Sequence, residues 1–315
     1  MRVIVLGAGA IGGTIGARLA EAGHDVTLVA RGAHAAAMRE RGLRVVSPDG
    51  EQTVHLPVVE HPRELALAGD ELVILTTKSQ DTPAALDALR TVAPGATIAC
   101  AQNGVANERE AARRAFAHVV AIHVWMAAQH LEPGVVEVGS APCSGILELG
   151  SYPSGSDDRV AALAAALTAA TFDTAIRTDV MRWKYRKLIT NLGNAVDALC
   201  VRDDAARELA RRARDEGRAV LQAARIDTVP ENEARPRLHL DERPIAGRPR
   251  TGGSSWQSLA RRTGTIEADQ LNGEIVLLGQ QHHIPTPINA RLQQLASAHA
   301  GARRPPRSLD ARELL

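Results

Sequence analysis

The first half of the chain alternates short apolar runs with segments of helical period. Val3–Leu6 reads as a buried strand, Thr14–Ala22 as a helix and Val26–Ala30 as the next strand. Leu72–Thr76 and Thr97–Ala101 repeat the strand pattern, with a helix over Thr82–Val92 between them. Strands joined by helices of this length give right-handed crossovers and a parallel sheet. Further β runs fall at Val119–Trp125, Val135–Val138 and Ile146–Leu149, followed by a helix over Asp158–Ala169 and a last run at Asp173–Arg177. From Asp179 the period is helical, over Val180–Leu199, Ala205–Ala224, Ser255–Gln281 and Asn289–Ala300. The Pro- and Arg-rich stretch Asp227–Gly253 reads as a long surface loop, and the tail from Gly301 as frayed. The pattern predicts an α/β, doubly wound domain over residues 1–178 and an all-helical domain over 179–315.

Composition narrows the classes. At 315 residues two domains are expected. A chain 45% hydrophobic and 23% charged folds rather than staying disordered. Lys and Arg number 37 against 36 Asp and Glu, so no global basic field exists to hold nucleic acid or an anionic membrane. With aromatics at 2%, base-stacking platforms are not expected either. Cys100, Cys143 and Cys200 are odd in number and far apart, without metal-ligand spacing, which suggests a reducing compartment. No apolar stretch reaches the roughly 18–20 residues of a membrane span, and Met1–Leu6 has no signal-peptide pattern. A cytoplasmic protein is expected.

The segment Gly7-Ala8-Gly9-Ala10-Ile11-Gly12-Gly13 fits G-x-G-x-x-G between a strand and a helix. In that context Gly7 permits the turn, Gly9 lets the backbone approach a pyrophosphate, and Gly12 lets the helix pack on the sheet. The phosphates would meet free N–H groups at the positive end of the helix, including those of Ala10 and Ile11. The second strand ends in Val29-Ala30-Arg31-Gly32. An acid at this point would hold a ribose 2′-hydroxyl; Arg31 suits a 2′-phosphate instead, so NADP(H) is favoured over NAD. A packing turn and a solvated arginine are the plain alternatives.

On a helix over Val180–Leu199, Met181, Tyr185, Leu188, Leu192, Ala195 and Leu199 form one apolar face. Lys184, Lys187, Asn191 and Asn194 form a polar stripe beside it, at spacings of 3, 4 and 3. Asn and Gly193 are poor helix formers, so local stability does not explain the choice. A solvated helix edge remains the alternative. His282 and His283 diverge at a helix end without further metal ligands, Cys100 reads as a small buried thiol, and Arg211-Arg212 and Arg261-Arg262 as solvated faces.

Taken in order, these residues resemble the ketopantoate reductase (2-dehydropantoate 2-reductase) family over nearly the whole chain. The likeness runs from the glycine motif and Val29-Ala30-Arg31-Gly32 through Thr77-Lys78-Ser79 and Gln102-Asn103-Gly104. It continues with Lys187-x-x-x-Asn191 and Ser254-Ser255. It is strongest at Glu267-Ala268-Asp269-Gln270-Leu271-Asn272-Gly273 and at Ile284-Pro285-Thr286-Pro287-Ile288-Asn289. The resemblance implies a Rossmann-type N-terminal domain, a helical C-terminal domain and an active site in the cleft between them. It implies reduction of 2-dehydropantoate by NADPH, giving pantoate on the route to coenzyme A. Lys187 would be the catalytic lysine, feeding a proton to the carbonyl oxygen as hydride arrives. Glu267 would orient the substrate hydroxyl and share the proton handling. Ser255 would hold the substrate carboxylate, and Asn191, Asn194 and Asn103 would contact substrate. Gly7, Gly9, Ala10, Ile11, Gly12, Arg31, Lys78 and Asn103 would bind the cofactor. No metal is implied; the partner is a small 2-keto acid, with a homodimer left open.

The chain departs from the family pattern at three points. Asn194 follows Asn191 by three residues where the family has four. Leu259 stands where the Ser-Ser-Met-x-x-Asp pattern carries its acid, and Trp256 replaces the Met. Tyr185 takes the place of a tryptophan, while Trp183 directly precedes Lys184, leaving Lys184 as a weaker catalytic candidate. A reductase of another keto acid or imine, and a non-catalytic NADP-sensing protein, are therefore carried alongside. A sensor would not need both Lys187 and Glu267.

Overall fold

The computed structural model describes residues 1–69, 71–248 and 252–314. Among them are the strands β1 (Arg2–Leu6), β2 (Asp25–Val29), β3 (Leu43–Ser47), β4 (Gly50–Val54), β5 (Val58–Val59) and β6 (Leu72–Leu75). They continue with β7 (Thr97–Cys100), β8 (His118–Trp125), β9 (Ala128–Gln129), β10 (Val135–Val138), β11 (Gly145–Ser151) and β12 (Phe172–Ile176). The helices are α1 (Ala10–Glu21), α2 (Gly32–Arg41), α3 (Thr82–Val92), α4 (Asn107–Arg113), α5 (Asp158–Ala169) and α6 (Val180–Asn191). After these come α7 (Asn194–Leu199), α8 (Asp204–Ala223), α9 (Glu231–Arg237), α10 (Ser254–Ala260), α11 (Asn272–Gln281) and α12 (Pro287–Gly301).

The chain divides into two compact units. The first takes in Met1–Gln102, Asn107–Trp183 and the segment that begins at Pro230. Its main sheet has eight strands in the order β12-β11-β8-β7-β6-β1-β2-β5, parallel except where β8 meets β11. Alternate residues of the central strands enter two separate apolar clusters. Val3, Val5, Leu28 and Ile74 join Ile15 and Leu19 of α1 and Leu163 of α5. Ile4, Leu6, Val73, Leu75 and Ile98 join Leu86 and Leu89 of α3. A sheet covered on both faces reads in sequence as continuous apolar runs, which is why these strands were visible there. Cys100 lies in the second cluster, fully buried, as expected of a small core thiol.

The second unit takes in Asn103–Ala106, Lys184–Val229 and the residues from Gly252 onward, and is helical. α8 buries Leu209, Ala213, Gly217, Val220 and Leu221 along one stripe. A Cβ on Gly217 would lie 2.5 Å from Leu192 and 2.8 Å from Ile189, so the glycine admits a close approach of the chain around α6. The opposite face of α8 carries Arg211 and Arg212, both exposed and paired with Glu208, as expected of a solvated face.

Five expectations need correction. The helix expected over Val180–Leu199 is two, because Gly193 interrupts it; Leu192 N–H already donates to both Leu188 and Ile189 carbonyls in a tightened last turn. The helix expected over Ser255–Gln281 is also two: α10 stops at Ala260, Arg262 and Gly264 take positive φ (51° and 81°), and α11 begins at Asn272. Arg261 is partly buried rather than on a solvated helix face, and its desolvation lowers its pKa. Asp227–Gly253 is not an uninterrupted loop. It forms α9, and Arg237, Arg243 and Arg248 pair with Glu148, Asp49 and Glu137 of the first unit; residues 249–251 lie outside those described. Nor does the tail fray. Arg307 pairs with Asp197 at 3.1 Å, and Leu309 N–H donates to the Leu199 carbonyl at 3.0 Å.

Candidate active site

In the first unit the glycine motif forms the link from β1 to α1. Gly7 has φ +107°, and a Cβ there would lie 2.6 Å from the Thr77 backbone nitrogen. A Cβ on Gly12 would lie 2.1 Å from the Gly7 carbonyl and 2.3 Å from Thr76 Oγ1. Both positions therefore exclude a side chain for reasons of packing. Gly9 differs: a Cβ there would have no heavy atom within 4 Å. It caps α1, with no side-chain bond to the helix start and no acid in the first turn. The first N–H groups of α1 are thus not answered by a capping side chain, as an anion site requires. Thr76 Oγ1 donates to the Gly7 carbonyl at 2.6 Å, locking the turn to the end of β6.

Arg31 is exposed at the end of β2, where it precedes α2, and makes no ion pair among the described residues. Lys78 follows β6 and is partly buried. Behind the Thr77-Lys78-Ser79 turn, Gln102 Nε2 donates to the Thr77 carbonyl (3.0 Å) and to Thr82 Oγ1 (2.7 Å). Thr82 Oγ1 in turn donates to Asn107 Oδ1 at 2.8 Å. These residues give the turn a fixed polar floor. The glycine turn and the uncapped helix start fit the pyrophosphate of a dinucleotide.

In the second unit the polar stripe holds in part. Lys184 and Asn191 are buried, at 3% and 8% exposure, and Lys187 between them is partly buried on α6. The Lys187 ammonium is lowered from 10.5 to about 7, chiefly by burial and then by the nearby Lys184 charge, while the Glu267 carboxylate opposes the fall. Asn191 Nδ2 is buried without a hydrogen-bond partner. Such an orphaned donor is costly unless a ligand or water meets it. Asn194 opens α7, across the break at Gly193, and is less buried.

Glu267 is not on a helix. It sits buried in the turn segment between α10 and α11, and Ser254 Oγ donates to its Oε2 at 3.4 Å. Ser255 is buried on α10, and Leu259, one turn later, is buried at 2% exposure. Asn103 belongs to this unit, where a Cβ on the adjacent Gly104 would lie 3.1 Å from the Gln270 carbonyl. Lys187, Glu267, Asn191, Ser255 and Asn103 thus belong to the second unit, and the glycine turn, Arg31 and Lys78 to the first; of these, Lys187 lies within reach of the Glu267 charge.

Sequence reasoning did not find what holds the Lys187 helix to the Glu267 segment. Asn272 Nδ2 donates to the Leu192 carbonyl at the end of α6 (3.2 Å) and to Asn289 Oδ1 (2.9 Å). Asn289 Nδ2 donates to the Ala213 carbonyl and to Glu216, whose carboxylate also accepts the Ile288 and Asn289 N–H groups at the start of α12. The buried asparagines in the two motifs were the signal, since an amide in a core must be bridging something.

A doubly wound sheet with a glycine-rich dinucleotide turn, joined to a helical unit that buries a lysine near a glutamate, defines an oxidoreductase of the nicotinamide-dependent type. Family models place the chain further. Residues 3–154 match the ketopantoate reductase PanE/ApbA model and residues 179–300 its C-terminal companion. The chain belongs to the ketopantoate reductase family. It is 31% identical over 299 residues to the 2-dehydropantoate 2-reductase of Halobacterium salinarum, covering 94% of this chain and 97% of that one. The crystal structure of a PanE/ApbA family ketopantoate reductase from Ralstonia eutropha JMP134 superposes with a TM-score of 0.80 at 30% identity, covering 96% and 99% of the two chains. A D-mandelate dehydrogenase in ternary complex with NADH and anilino(oxo)acetate also superposes at 0.80, over 96% and 99%. At 22% identity that likeness concerns the fold alone. Among the described residues no helix is long and apolar enough to cross a membrane.

Proposed function

We propose that this protein reduces the ketone of a 2-keto acid with NADPH, and that its substrate is 2-dehydropantoate, giving pantoate on the route to coenzyme A. The observation that carries this is Lys187, whose pKa stands at about 7 within reach of the Glu267 charge and one turn from the orphaned Asn191 amide. A lysine at its ordinary value would hold its proton too tightly for efficient transfer near neutrality.

When bound, NADPH would supply the hydride that adds to the keto carbon. Lys187 donates a proton to the ketone oxygen as negative charge gathers there, and the product is the 2-hydroxy acid. Asn191 donates from its unpaired Nδ2 to the substrate, Ser255 receives the carboxylate, and Glu267 orients the distal hydroxyl and shares the proton. Asn194 and Asn103 extend the polar contacts to substrate, and Asn103 with Lys78 also contacts the cofactor. Arg31 selects the 2′-phosphate, and Gly7, Gly9, Ala10, Ile11 and Gly12 receive the pyrophosphate. The three free cysteines support a cytoplasmic location.

Loss of NADPH absorbance with a panel of 2-keto acids tests the proposal. Turnover should be greatest with 2-dehydropantoate. Lys187→Ala should lower kcat and kcat/KM together, by about 10²- to 10⁴-fold, while Lys184→Ala costs far less. The reverse ranking would move the chemistry to Lys184. One observation favours a second reading, a reductase of another 2-keto acid: Leu259 is buried at the position where the family carries an acid. Tight NADPH binding with turnover of no keto acid would point instead to a sensor.

A further inference from the structure

His34, on α2, faces the glycine turn. Its Nε2 lies 2.7 Å from the Ala8 carbonyl oxygen, and its Nδ1 lies 2.8 Å from the Gly134 backbone nitrogen. The second contact fixes the proton. A backbone N–H can only donate, so Nδ1 must be the bare acceptor; the ring hydrogen is then on Nε2, which donates to Ala8. Gly134 can present its N–H there because it has φ +78°, and the same backbone sits tightly against Ala37 of α2. His130 packs against His34 with ring centres 4.1 Å apart and planes tilted by 43°, and its own Nδ1 lies 2.9 Å from the Val135 carbonyl. The imidazole is therefore held on both edges and one face.

The consequence lies in the peptide plane. The Ala8 carbonyl and the Gly9 N–H belong to one trans peptide and point in opposite directions. Pinning the carbonyl to His34 aims the Gly9 N–H the other way. That N–H makes no backbone hydrogen bond among the described residues, and the side of Gly9 on which a Cβ would stand is open. Glycine leaves this peptide free to rotate, so something must choose its orientation. We infer that His34, as the neutral Nε2-protonated imidazole bridging Gly134 and Ala8, is a positioning residue that presets the Gly9 N–H toward the dinucleotide pyrophosphate. The inference rests on the dinucleotide reading of the glycine turn. His34 touches no reacting atom, and it acts on cofactor affinity rather than on the hydride step.

Three measurements test it. In the cofactor-free protein, ¹⁵N NMR of the histidine rings at neutral pH should show His34 with a bare Nδ1 and a protonated Nε2. The opposite tautomer, or an imidazolium, overturns the inference without reference to any ligand. Fluorescence titration with NADPH should show His34→Phe, which keeps an aromatic ring against His130 but removes both polar contacts, binding about 10-fold more weakly. In turnover, its KM for NADPH should rise likewise while kcat and the keto-acid KM stay within about 2-fold. His34→Gln, whose amide can again donate to Ala8, should recover affinity to within about 3-fold of wild type. Equal affinity of wild type and His34→Phe, or a His34→Phe loss that falls on kcat, would refute the role. Failure of the wild type to bind either NADPH or NADH would instead refute the dinucleotide reading itself. If His34→Phe does not fold, the tautomer and the His34→Gln affinity decide.

Discussion

Removing the charge of Lys184 should move the alkaline limb of the reductive pH profile upward, and removing that of Glu267 should move it downward. In the proposed mechanism the proton donor is the Lys187 ammonium, so reductive kcat/KM should be full below its pKa and fall as pH rises through it. In the wild type that limb is expected at about 7. Burial is the largest cause of the fall from 10.5, the Lys184 charge adds to it, and Glu267 opposes it. Lys184 stands three residues before Lys187, so the two side chains rise from neighbouring positions on α6. At an effective dielectric near 20, two unit charges at about 7 Å interact by roughly 2.4 kcal/mol, equivalent to about 1.7 on the pH scale. Side-chain relaxation and counter-ions take part of this, leaving about one pH unit. Lys184→Gln should therefore raise the limb by about one pH unit, and Glu267→Gln should lower it. The measurement is kcat/KM for the keto acid across the pH range, on each variant's residual activity. Shifts of the same sign in both variants, or a limb that neither moves, would refute the assignment of the donor to Lys187.

Other expectations follow from single contacts. Arg31→Ala should weaken NADPH by about 10- to 150-fold relative to NADH, the worth of one charge-assisted bond of about 1.5–3 kcal/mol, read by titration with both cofactors; equal losses would count against the 2′-phosphate. Gly9→Ala, entering open space, should leave Tm within about a degree or two but sharply weaken dinucleotide binding, whereas Gly12→Ala, colliding with Gly7 and Thr76, should lower Tm by several degrees. Asn272→Leu leaves the buried Leu192 carbonyl and Asn289 Oδ1 without their donor and should cost about 1–3 kcal/mol in urea unfolding, with a larger fall in kcat than in NADPH affinity.

Much of the first unit was legible because buried parallel strands announce themselves as apolar runs, and β1, β6 and β7 lie within a residue of where the pattern put them. The four-stranded sheet β4-β3-β10-β9 was mostly missed. β4 is exposed nearly throughout and carries charged and polar residues, and β9 has only two residues, so neither has a periodicity to detect. The helix breaks at Gly193 and after Ala260 were hidden because apolar spacing continues across them. The turn at Gly7 and the close packing at Gly12 were readable, since both follow from one strand-turn-helix geometry. The Lys187–Glu267 pairing came only through resemblance: the residues are far apart in sequence, and no local rule joins them. The role of Arg237, Arg243 and Arg248 was invisible because arginine-rich segments with prolines look solvated unless their acidic partners are known.

Those arginines have a consequence for synthesis. Glu148 is fully buried and is neutralised by Arg177 at 2.8 Å and by Arg237 at 2.7 Å. Arg177 is made next to the last strand of the sheet, but Arg237 follows β12 by about sixty residues. At translation rates of about 5–20 residues per second, it reaches the sheet roughly 3–12 seconds after β12 has been made. During that interval the nascent first unit has all its strands and only one of the two cations that stabilise its buried acid. Leaving such a charge half-compensated is costly. The sheet therefore receives its second cation only after α6, α7 and α8 have been synthesised.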